Sequence, residues 1–153
     1  MNAVDAILAV YLAAAAIMDI LHKKIKYRML ICGVIPVAAS LIRLLTEHED
    51  EKTVRYGLIL MAAGLALGFV FLIIAVATGE RLGKGDAVIF CICGATVGIE
   101  SLIAVIMTAF LLSAVYSAAM LAAGRLRKHS RIAFIPFIFL GYAMSLIAGL
   151  CGG

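Results

Sequence analysis

Charge is scarce in this chain. Of its 153 residues only 14% are Asp, Glu, Lys or Arg and 65% are hydrophobic, whereas soluble domains are nearer a quarter charged and half apolar. That shortage excludes an ordinary soluble surface and, with a mean hydropathy of +1.16, makes the chain an integral membrane protein. Proline is confined to Pro36 and Pro136. No Pro/Ser-rich linker, repeat or low-complexity stretch divides the chain, so residues 1–153 read as one domain. No Lys or Arg precedes the first apolar run, where a cleavable signal peptide would carry a basic segment, so that run reads as a retained helix. The cysteines form no CxxC pair and have no companion ligands, which argues against a structural zinc site. Cys32, Cys91, Cys93 and Cys151 are expected to be small buried hydrophobes. There is no nucleotide-binding glycine loop or serine triad, and the basic loops are too short for a nucleic-acid surface.

What is abundant is long apolar sequence. Runs over 4–21, 29–45, 56–78, 87–98, 102–123 and 132–150 predict an all-α integral membrane fold of six transmembrane helices, since a bilayer core of about 30 Å takes about 20 residues per helix. The fourth run is short and would reach only about 18 Å. Irregular backbone at membrane depth survives only where protein or a wet cavity shields it, so an active-site cleft is expected there. Lys and Arg concentrate in alternate loops: Lys23, Lys24, Lys26 and Arg28 in the first, Arg81 and Lys84 in the third, and Arg125, Arg127, Lys128 and Arg131 in the fifth. Only Arg43, Lys52 and Arg55 fall on the other face. By the positive-inside rule the first, third and fifth loops are cytoplasmic and both termini are outside. Joining the fourth and fifth runs would invert the fifth loop, so the chain is expected to break at Gly98-Ile99-Glu100-Ser101.

Two acids stand at the edges of these runs. Asp19 closes the first and Asp86 opens the fourth, which places both at cytoplasmic ends. A carboxylate at the centre of a membrane helix costs roughly 2.5–3.5 kcal/mol, so such residues are functional candidates. Asp86 ends Gly83-Lys84-Gly85-Asp86. Glycines there permit unusual backbone angles and close approach, and a substrate could lie along this loop as an added strand. Gly83, Lys84 and Gly85 are therefore candidate substrate-binding residues. The competing reading is an interhelical turn whose Asp caps the next helix, and for Asp19 an interfacial carboxylate paired with Lys23 and Lys24. His22, one turn after Asp19, reads as an interfacial histidine. Gly64 and Gly68 allow close helix contact, within the fold or between copies. Tyr11, Tyr56, Tyr116 and Tyr142 fit either interfacial anchors or core.

Taken together the motifs resemble the prepilin peptidase family, membrane aspartic proteases of the GxGD type that include preflagellin peptidases. Asp19 with Lys23-Lys24-Ile25 is similar to the family's first aspartate and its basic tail. Gly83-Lys84-Gly85-Asp86, followed by Gly94-Ala95 and Gly98, is similar to the second. Pro136-Phe137 and Leu140-Gly141 are similar to its late proline motif. The chain departs from the pattern at Lys26-Tyr27, where the family often has Pro-Asn, and at Val88, where it usually has Lys.

The resemblance implies an aspartic endopeptidase with Asp19 and Asp86 as catalytic residues and with no metal or cofactor. It would remove the short basic leader of type IV pilin-like precursors at the cytoplasmic face of a prokaryotic plasma membrane. Two adjacent carboxylates share a proton and titrate as a pair, one activating water and the other polarising the scissile carbonyl. Larger relatives N-methylate the new terminus and carry a cysteine-rich insertion with CxxC motifs, which has no counterpart here, so methylation is left open. The expected partners are the precursor and the lipid bilayer, with no nucleic acid. Two rival readings are a proton-coupled transporter, which would be favoured by an inverted repeat that is not visible, and a non-catalytic pilus-assembly factor.

Overall fold

The computed structural model describes residues 3–22, 31–47, 51–78, 83–124 and 134–151. The helices are α1 (Ala3–His22), α2 (Val34–Glu47), α3 (Glu51–Ala77), α4 (Lys84–Ala122) and α5 (Ile135–Cys151). Three stretches, Ala3–Leu21, Glu51–Ala77 and Gly85–Ala122, are long and apolar enough to cross a membrane, and Val34–Thr46 and Ile135–Ala148 are shorter apolar helices. The regular structure among the described residues is thus all helical, as membrane chemistry demands of a chain that must satisfy its own backbone hydrogen bonds.

Helix α4 is not straight. Gly98 sits at φ 78° and ψ 175° and joins two helical stretches across a kink. Phe71 packs on Phe90 at 5.2 Å and on Phe110 at 6.4 Å between ring centroids, although twenty residues of straight helix would span about 30 Å. The chain therefore reverses at Gly98, and residues 99–122 return alongside residues 84–97. Backbone angles of that kind are almost restricted to glycine. The break expected over residues 98–101 is thus present but narrower, with helix resuming at once after Gly98. Helix α3 also starts earlier than its apolar run, because Glu51-Lys52-Thr53-Val54-Arg55 are helical as well.

Helix α3 runs along the first limb of α4 at backbone contact. A Cβ on Gly64 would strike the Gly94 backbone, and one on Gly68 would lie 2.6 Å from the Cys91 Cα. Small residues permit such an approach in a bilayer, where dispersion and not water exclusion holds helices together. Both glycines thus serve contact within the fold. Helix α5 closes the bundle on α1 and on the second limb of α4, with Gly141 lying against Thr108 and Val105. The core gathers Leu8, Leu12, Ile89, Phe90, Cys93, Leu102, Val105, Ile135 and Ile138.

Tyr11 and Tyr142 are buried, whereas Tyr56 and Tyr116 face outward. Cys93 is buried as expected, but Cys32 is exposed on the outer face, a correction its apolar neighbours could not reveal because a lipid-facing surface is apolar too. The basic residues of the first and fifth loops lie outside the described residues.

Candidate active site

Three helix ends meet at one end of the bundle: the C-terminus of α1 and the N-termini of α4 and α5. Asp19, in the last turn of α1, is 9% exposed. The Ile135 backbone N–H donates to its Oδ2 at 3.4 Å. The local sequence of α5 explains this contact. The first N–H groups of a helix lack intrahelical partners. Pro136 has no N–H to satisfy, and the N–H groups of Phe137 and Ile138 bond the Phe134 carbonyl at 3.0 and 3.3 Å. The Ile135 N–H is left over, and Asp19 accepts it. This is a helix cap supplied from a different helix, of a kind worth about 0.5–2 kcal/mol.

Asp86 is held differently. Gly83 precedes α4 as its cap residue, and its carbonyl accepts the Asp86 and Ala87 N–H groups at 3.0 and 3.2 Å. Lys84, Gly85 and Asp86 therefore form the first helical turn, so the helix opens two residues earlier than the expected start at Asp86. Asp86 is also not the cap, since it lies three residues inside the helix. Gly83 has φ −62° and ψ 121°, angles open to any residue, so its value is not backbone freedom. A Cβ there would stand 2.6 Å from Asp86 Oδ2 and 3.2 Å from Cγ. The absent side chain is the space that the half-buried Asp86 carboxylate occupies. The Lys84 side chain and that of His22 lie outside the described residues.

The structure brings the two acids into one neighbourhood. The carboxylates are within electrostatic range of each other. Phe90, one turn beyond Asp86, packs edge-on against Phe134 with centroids 6.1 Å apart, and Phe134 adjoins the Ile135 that hydrogen-bonds Asp19. Phe134 and Phe90 were not singled out by sequence reasoning. The signal available was Pro136, which marks a helix start and hence a free N–H nearby that a carboxylate could satisfy. A cavity of about 410 Å³ lined by Val4, Ile7, Ala39, Ile42 and Arg43 lies at the opposite ends of α1 and α2, away from the acids. A cleft at the acid pair is not visible among the described residues.

Carboxylates can accept and donate protons, and here one is held by a backbone donor and the other is tucked against a glycine. Comparisons with known proteins bear on the family of the chain. The prepilin leader peptidase/N-methyltransferase of Bacillus subtilis (strain 168) is 36% identical over 87 residues, covering 56% of this chain and 35% of that protein. The chain thus spans about a third of the relative's length. No solved structure matches. The model of the type IV leader peptidase family matches residues 6–118, a stretch that takes in both Asp19 and Asp86 together with the Gly83–Asp86 turn, and the chain belongs to that family.

Proposed function

We propose that this protein is a membrane aspartic endopeptidase that removes the short basic leader of type IV pilin-like precursors, with Asp19 and Asp86 as its catalytic pair. The observation that carries the reading is the convergence at one end of the bundle of two acids from helices far apart in sequence, in a chain of the type IV leader peptidase family. In this reading the chain crosses the membrane six times, the acids face the cytoplasm, and both termini are outside.

The chemistry needs no covalent intermediate. One carboxylate takes a proton from the water as its oxygen attacks the scissile carbonyl carbon. The other, protonated, donates to the carbonyl oxygen as it becomes anionic. Collapse of the tetrahedral species breaks the C–N bond and a carboxyl proton passes to the leaving amine. The reading is supported by the holding of Asp19 by the Ile135 N–H and of Asp86 against Gly83, since groups fixed in advance lower the cost of organising a transition state.

Asp19→Asn and Asp86→Asn preserve shape and remove the acid function. Each variant, purified in detergent and assayed on a precursor with a basic leader before a hydrophobic helix, is expected to lose cleavage by about 10²–10⁴-fold. Wild-type cleavage by either folded variant refutes the pair. A protein that cleaves no precursor yet carries protons across liposomes would point to the transporter reading.

A further inference from the structure

Four phenylalanines close into a ring beside the acid pair. Phe71 of α3 meets Phe90 at 5.2 Å and Phe110 at 6.4 Å, and Phe134 meets Phe90 at 6.1 Å and Phe110 at 5.3 Å. Each comes from a different segment: α3, the first and second limbs of α4, and the step into α5. Phe90 lies one turn along α4 from Asp86, and Phe134 is bonded in sequence to Ile135, whose N–H holds Asp19. Phe90 is 1% exposed and Ile135 fully buried. Aromatic pairs have preferred edge and tilted geometries, so this contact is directional where an aliphatic one would be loose. The Phe90–Phe134 contact is therefore a physical connection between the scaffolds of the two acids.

From this juxtaposition we infer that Phe134 and Phe90 are positioning residues which set the separation of the Asp19 and Asp86 carboxylates. Neither side chain takes part in proton transfer. Phe134 fixes where α5 begins, and thus where the Ile135 N–H presents itself to Asp19. Phe90 fixes the rotation of the α4 limb that carries Asp86. The inference rests on the two-carboxylate reading and adds what holds the pair in register. Phe137 packs on Phe134 at 6.5 Å and on Tyr116 at 5.5 Å, so Tyr116, itself exposed, lies one contact outside the connection between the acids and supplies the control.

The experiment compares Phe134→Leu, Phe90→Leu and Tyr116→Leu with Asp19→Asn and Asp86→Asn, all as the full chain, measuring kcat and KM for one precursor together with thermal unfolding. Misplacing a catalytic group by about 1 Å can lower rate by about 10²-fold. The expected result is a fall in kcat of at least about 10-fold in Phe134→Leu and Phe90→Leu with KM little changed, and near wild-type kcat in Tyr116→Leu. Phe134→Met, which restores volume and a sulfur–aromatic contact, should recover part of the loss, and it replaces the leucine variant should that one not fold. A wild-type kcat in the phenylalanine variants, with both asparagine variants dead, overturns the inference and leaves the pair standing. An equal loss in Tyr116→Leu also overturns it, as general packing damage. Active asparagine variants overturn both.

Discussion

Gly83→Ala separates the chemistry of the site from its architecture. The added methyl would sit 2.6 Å from Asp86 Oδ2, and contacts below 3.0 Å essentially never occur, so the carboxylate must retreat by at least 0.4 Å. Ordinary van der Waals contact begins at 3.4 Å, a retreat of 0.8 Å. The carboxylate yields, because it is the movable end of a side chain whereas Gly83 is fixed by two hydrogen bonds at its carbonyl. A displacement approaching 1 Å at a proton-transferring group is expected to lower kcat by about 10- to 100-fold, or about 1.4–2.7 kcal/mol of transition-state stabilisation. Stability should hardly move. The Gly83 angles suit alanine, and the gain of about 0.4–1 kcal/mol from restricting the unfolded chain offsets the loss of a glycine at the helix cap, where alanine is disfavoured, so the net change should be small. The assay is cleavage of a precursor under saturating conditions, with thermal unfolding measured on the same preparation. A Gly83→Ala protein that cleaves at the wild-type rate would refute the argument that this glycine makes room for the acid. A protein that loses activity through unfolding would refute the claim that its backbone is unstrained.

Other substitutions test the scaffold. Gly98→Ala makes only ordinary van der Waals contact, with its nearest neighbour the Leu60 Cβ at 3.4 Å, but forces alanine to φ 78°. It should lose about 1–3 kcal/mol, read as a lower unfolding temperature; an unchanged transition would mean the chain does not reverse there. Gly64→Val places a branched side chain against the Gly94 backbone and should cost about 1–3 kcal/mol by prising α3 from α4. Ile73→Val, at an exposed position on the same helix, should change little, and equal effects in the two variants would contradict the close crossing.

Much of this protein was legible before any coordinates. The scarcity of charge dictated a membrane helical chain, because backbone groups in lipid must find partners within their own segment. Gly98 read as a break, since few residues but glycine can take the angles a reversal requires. Asp19 and Asp86 stood out because an acid at the edge of an apolar run needs a reason to be there. The charge count placed both at the same side, which agrees with their meeting at one end of the bundle. Local pattern could not show what each acid touches. The Asp19 partner lies in α5, 116 residues away, and no periodicity in α1 announces it. The role of Gly83 was misjudged as conformational freedom, because a sequence displays the missing side chain but not the carboxylate that fills its place. The exposure of Cys32 and the burial of Tyr11 and Tyr142 were equally hidden, since in a bilayer the outward and inward faces of a helix are both apolar. Sequence by itself determined the solvent this chain lives in and its helical character, and it singled out two acids as candidates. Tertiary structure alone decided their company, because the aromatic ring and the borrowed helix cap arise from segments that chain reversal brings together.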